Sequence, residues 1–165
     1  MAQYHFQTIW RIPAPLDQVW RAILETERWP SWWKGVQSVE VLSIGDEGGI
    51  GSCRRYVWRS KLPYTLAFDM EVTRIEPMSL IEGRASGELE GTGVWRLQDT
   101  GAHIRVQYDW DVSTTRWWMN LLAPLARPAF AWNHDYVMNH GREGLLRLLG
   151  SERLPLPEIG EGAGE

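Results

Sequence analysis

The sequence predicts an α+β fold in which a curved, antiparallel sheet of seven strands wraps a long C-terminal helix, with two short helices after the first strand. Three observations carry this. At ~100° per residue the segment Ala129 to Leu149 places Phe130, Ala131, His134, Val137, Met138, Gly141, Leu145, Leu148 and Leu149 on one face, with Asp135, Asn139, Arg142 and Glu143 opposite. Upstream, the chain is nearly all short alternating runs separated by Gly- or Pro-rich turns. Those turns are too short for parallel crossovers, so the strands form an antiparallel meander.

Taken in order, Tyr4, Phe6, Thr8, Trp10 and Ile12 alternate with polar neighbours and form the first strand, which Pro13 ends. Leu16, Val19, Trp20, Ile23 and Leu24 then repeat at helical spacing, with Pro15 in the first turn. Trp29 precedes Pro30 and is expected outside a helix, leaving Ser31 to Lys34 one short turn before Gly35. The next strands are expected at Val36 to Ile44, Ser52 to Ser60, Tyr64 to Ile75, Leu80 to Glu88, Gly93 to Gln98 and Ala102 to Val112.

Two of these strands declare their inner face. Leu66, Phe68, Met70 and Val72 form one apolar row, and Ile104, Val106, Tyr108 and Trp110 another. The strand from Leu80 is ambiguous: either Ile81, Gly83, Ala85 and Gly87 face inward, or Leu80, Glu82, Arg84 and Ser86 do. The second register would place Glu82 and Arg84 inside as a polar pair able to orient a carbonyl or phenol, at a high desolvation cost. After the last strand, Ser113 to Thr115 cap a segment that Pro124 and Pro128 break into a prelude to the long helix, which Gly150 stops.

Residues 1–150 are read as a single domain, and the acidic tail 151–165 as disordered. That tail carries Glu152, Glu158, Glu161 and Glu165 against Arg153, so it supplies −3 of the net charge of −4. The body is thus close to neutral and has no basic stripe, which argues against a nucleic-acid partner. No apolar run approaches a membrane span, Cys53 stands alone, and the expected location is cytoplasmic.

The resemblance rests on several segments: Ile12-Pro-Ala-Pro15 with Val19-Trp20, Trp29-Pro-Ser-Trp-Trp33, Ala85-Ser-Gly-Glu-Leu-Glu-Gly91, Trp95, and Trp132-Asn-His-Asp-Tyr-Val-Met138 with Gly141. With the element order, they make residues 3–149 resemble the START-like (SRPBCC) superfamily, in its polyketide cyclase/dehydrase and lipid transport branch. The resemblance implies a helix-grip fold with a mostly apolar cavity between sheet and helix. It also implies a range of roles: binding of a hydrophobic or aromatic small molecule, aromatase/cyclase chemistry on a polyketide-like substrate, or a protein-interaction module like the chaperone activators.

Parity and helical projection predict that Phe68, Trp95, Tyr108 and Trp110 from the sheet line such a cavity with Asn133, His134 and Val137 from the helix. Of the eleven tryptophans in 165 residues, many are expected to build the core, and several can also line a cavity. Trp29, Trp32 and Trp33 are expected to cluster with Trp117 and Trp118 at the entrance, since both groups lie in Pro-interrupted connections; an ordinary secondary core is the alternative. His134 is a weak catalytic candidate, as general acid or base, against a buried structural role. Gly141, two turns on, marks close packing or space for a ligand.

No metal site or cofactor is expected. His134 and His140 are six residues apart, on different sides of the helix, and the glycines at 45, 48, 49 and 51 precede a strand and lack the Lys-Ser/Thr of a phosphate loop.

Overall fold

The structure, a computed structural model, describes residues 2–151. The tail expected to be disordered lies outside these residues apart from Ser151, the last residue of the long helix. The elements run β1 (Gln3–Ile12), α1 (Leu16–Leu24), a 3-10 turn (Thr26–Arg28), α2 (Trp29–Trp32), β2 (Val36–Ser43), β3 (Cys53–Arg59), β4 (Thr65–Glu76), β5 (Leu80–Gly87), β6 (Leu89–Asp99), β7 (Ile104–Thr114) and α3 (Trp117–Ser151). The strands form one seven-stranded antiparallel sheet in the order β1-β7-β6-β5-β4-β3-β2. Its concave face holds α3, which gives the helix-grip architecture.

The alternation seen in the sequence becomes the two faces of this sheet. Along β7, Ile104, Val106, Trp110, Val112 and Thr114 are buried, and in β1 Tyr4, Trp10 and Ile12 are buried while Gln3, His5, Gln7 and Arg11 are exposed. On β5 the inward row is Ile81, Gly83 and Ala85. Glu82 and Arg84 are therefore not inside: Arg84 bonds Glu71 of β4 at 3.2 Å on the outer face, where water relieves the desolvation cost of both charges. Pairs of the same kind, Arg55 with Asp69 at 2.8 Å and Arg96 with Asp109, lie on the same face.

Three local expectations are revised. Trp29 is helical, with φ −52° and ψ −40°, because Pro30 falls in the first turn of α2, where no amide donor is needed, and the indole gains burial. β6 begins at Leu89 rather than Gly93. Gly91 and Gly93 are part of its ladder because they face Val112 and Trp110 of β7, and a Cβ on Gly93 would lie 2.6 Å from the Tyr108 hydroxyl. Finally, α3 starts at Trp117 and runs unbroken through Pro124 and Pro128. The two prolines free only the carbonyls of Asn120 and Pro124, in a stretch whose Leu121, Pro124 and Leu125 face solvent.

Candidate ligand-binding cavity

α3 and the sheet do not close completely on each other. Between the N-terminal half of the helix and strands β1, β3, β4, β6 and β7 lies a cavity of about 160 Å³. The seven residues expected to line a cavity meet there: Phe68, Trp95, Tyr108 and Trp110 on the sheet side, Asn133, His134 and Val137 on the helix side. The walls are continuous aromatic contacts, with Trp95 stacked on Tyr108 at 4.1 Å and Phe68 5.5 Å from Trp110. Tyr4, Phe6, Tyr64, Met119 and Phe130 are also part of the lining. Tyr4 and Phe6 share the inward parity of β1, Tyr64 that of the expected strand Tyr64 to Ile75, and Phe130 the inward face of α3, so the same rule extended to these elements finds them; Met119 carries no such signal.

Among the described residues, no Asp, Glu, Lys or Arg lines this cavity. Its polar groups are neutral. His134 stacks on Phe6 at 4.3 Å, and burial, opposed by nearby Asp135, pushes its imidazole down to about 4. The Asp135 carboxylate is 3.8 Å from Nδ1, too far for a hydrogen bond, so both ring nitrogens are buried with no partner among the described residues. Asn133 Oδ1, the Tyr4 hydroxyl and Trp58 Nε1 are in the same condition. Burial holds the Tyr108 phenol well above its ordinary value and pushes Tyr64 up to about 12. At neutral pH the cavity therefore presents neutral donors and acceptors, several lacking a partner, in an aromatic shell.

The tryptophans expected at the entrance divide into two separate groups. Trp29, Trp32 and Trp33 are buried, whereas Trp117 is 75% exposed and Trp118 packs edge-on against Tyr64 at 5.4 Å. Trp33 contacts Trp10, Trp58 and Trp95, and Trp32 stacks on Trp33 at 5.5 Å, so these indoles form a core between α2, the sheet and the C-terminal half of α3. Two glycines of α3 make this possible, Gly141 against the Trp33 ring and Gly144 against the Trp32 carbonyl. Trp29 and Trp33 also form part of the cavity wall, at its inner end. Among the described residues, no group of three or more His, Cys, Asp or Glu is placed to hold a metal ion, and no helix is long and apolar enough to cross a membrane.

A family model described as polyketide cyclase/dehydrase and lipid transport matches residues 4–140, from the first strand to the middle of α3. The chain belongs to that family. No curated protein matches it in sequence. Among solved structures, a START superfamily protein from Mycobacterium smegmatis superposes with a TM-score of 0.73 at 12% identity, covering 90% of this chain and 98% of its own. The Zhui aromatase/cyclase from Streptomyces sp. R1128 gives 0.71 at 14% identity, covering 92% and 96%. A protein from Thermus thermophilus gives 0.70 at 19% identity, covering 88% and 99%. At these identities the likeness is one of fold, and this polyketide cyclase/dehydrase family member shares the helix-grip arrangement of those structures.

Proposed function

We propose that the protein binds a small, neutral, hydrophobic or aromatic molecule between the sheet and α3, without a cofactor and within the cytoplasm. One observation carries this reading: Asn133 Oδ1 and both nitrogens of His134 are buried with no partner among the described residues, at the wall of a mostly apolar, uncharged cavity. A buried polar group without a partner costs about 1 to 3 kcal/mol, which a ligand hydroxyl or amide would recover on binding. The volume favours one aromatic ring, since an apolar cavity of roughly 150 Å³ holds benzene. Phe68, Trp95, Tyr108, Trp110 and Val137 would supply the apolar contacts.

An aromatase/cyclase role is the second reading, supported by the presence of Tyr108 and His134 on one cavity. It is the weaker one. An imidazole with a pKa near 4 is a poor base at neutral pH, and the nearby Asp135 carboxylate does not offset the burial that lowers it. The third role, a protein-interaction module, has weaker support: the outer face of the sheet carries the Arg55–Asp69, Arg84–Glu71 and Arg96–Asp109 ion pairs.

Native mass spectrometry of the purified protein is the first test. A retained small molecule of unchanged mass supports binding, and its conversion on incubation supports catalysis. His134→Gln separates the two further: a binding role expects affinity to change by no more than about 1 to 2 kcal/mol, and a general acid or base expects turnover to fall by about two to four orders of magnitude.

A further inference from the structure

The aromatic wall formed by Trp29, Trp58, Phe68, Trp95 and Tyr108 has a second side. Behind it, between α1, the β2–β3 turn and the strands β3 to β6, lies another chamber of about 450 Å³. Those five side chains line both spaces. The cavity under the sheet is thus two compartments with one partition, and the larger compartment lies away from His134.

Three features distinguish this chamber from an accidental void. Its mouth is fixed: Asp46 Oδ1 accepts from the amides of Gly48 and Ile50 at 2.9 Å each, and Gly51 N donates to Val72 O at 2.8 Å, tying the glycine-rich turn to β4. The rim carries exposed apolar side chains, with Ile44 80% exposed and Leu24 39% exposed. Its wall also carries a buried donor: Arg54 Nε has no partner among the described residues, while Nη2 of the same guanidinium bonds Glu27 at 2.9 Å.

We propose that this chamber is a second binding site, for a neutral, mostly apolar ring compound whose carbonyl oxygen accepts from Arg54 Nε. The chemistry follows from the charges. Glu27 already balances Arg54 and Glu47 stands at the rim, so a free anion gains little there, whereas a carbonyl satisfies the orphan N–H without adding charge. Asp46, in the same turn, is occupied with its own backbone amides. The site goes beyond the proposed function, which concerns only the compartment beside α3.

The test uses 6-propionyl-2-dimethylaminonaphthalene, a neutral fluorophore with one carbonyl whose emission moves to the red when that carbonyl is hydrogen-bonded. The full chain is titrated beside Ile75→Trp, which fills the second chamber, Val137→Trp, which fills the first, and Arg54→Met. Ile75 is only half-buried and tolerates a larger side chain better than a core position; Leu24→Trp, on the rim, blocks the same mouth should Ile75→Trp fail to fold. One binding component should persist in Val137→Trp, disappear in Ile75→Trp or Leu24→Trp, and weaken about tenfold in Arg54→Met with a blue-shifted emission. Loss of all binding in Val137→Trp, or an Arg54→Met variant with unchanged affinity and emission, overturns the second site. If no binding component is lost in Val137→Trp but all is lost in Ile75→Trp, the second site stands and the first reading fails for this probe.

Discussion

Trp33 lies directly on Gly141: a Cβ added to the glycine would sit 2.6 Å from Cζ2 and 2.8 Å from Nε1 of the indole, whose N–H donates to the carbonyl of Val137 at 2.9 Å. This contact fixes how closely α3 approaches α2 beside the cavity. Glycine inside a helix costs about 1 kcal/mol relative to alanine, so its presence here reflects contact rather than helix preference.

Gly141→Ala is therefore expected to destabilise the protein, by up to about 2 kcal/mol after the helical gain is set against an overpacking cost of about 1 to 3 kcal/mol. Denaturant melts of the two proteins measure it. A more stable alanine variant would show that the indole moves aside freely.

The acid limb of stability should depend on His134. Its folded pKa of about 4, set by burial, lies below the ordinary 6.5, so between these values the unfolded chain binds more protons than the fold. Stability is then full above about pH 6.5 and falls as pH drops toward 4, by on the order of 3 kcal/mol in all. His5, whose exposed imidazole is raised by its hydrogen bond to Asp111, moves the opposite way. Proton NMR should show His134 titrating below His5, and His134→Gln should flatten the loss between pH 6.5 and 4. A His134 resonance titrating at 6.5 or above contradicts its burial.

What the sequence shows of this fold is its periodicity. The strands and the inward rows of β1, β4 and β7 follow from alternation alone, because a period of two leaves one buried face. The inner face of β5 does not, since Glu82 and Arg84 are read differently depending on a partner in β4 that only the register supplies. The tryptophans of α2 mislead for a related reason: position in a short connection says periphery, but Gly141 and Gly144, over a hundred residues away, make the room that draws Trp32 and Trp33 inside. Proline signals are also overruled twice, at Trp29 and along α3, where local steric preference gives way to burial or to solvent.

The parity of β5 makes a plain expectation. Arg84 is exposed on the outer face and paired with Glu71, so Arg84→Met should cost no more than about 1 kcal/mol and leave small-molecule affinity unchanged. A variant that folds normally and binds differently would return Arg84 to the cavity.

Gly93 and Tyr108 should be energetically coupled. A Cβ on Gly93 meets the Tyr108 hydroxyl at 2.6 Å and Trp110 ring carbons at 3.0 Å, so Gly93→Ala should cost about 1 to 3 kcal/mol. Part of that loss should return in the double variant with Tyr108→Phe, by at least about 0.5 kcal/mol in a double-mutant cycle. Strict additivity would mean that the hydroxyl does not sit over the glycine.

The most direct measurement compares p-cresol with toluene, which differ by one hydroxyl and suit a single-ring cavity, in NMR titrations of the native chain and of Val137→Trp. Burying a hydroxyl without a partner favours toluene, whereas the unpartnered atoms of Asn133 and His134 should favour p-cresol, by about 1 to 2 kcal/mol. The expected result is tighter binding of p-cresol by the native chain, with shifts at Asn133 and His134 that vanish for both ligands in Val137→Trp. Equal or tighter binding of toluene, or p-cresol binding untouched by Val137→Trp, would contradict the account.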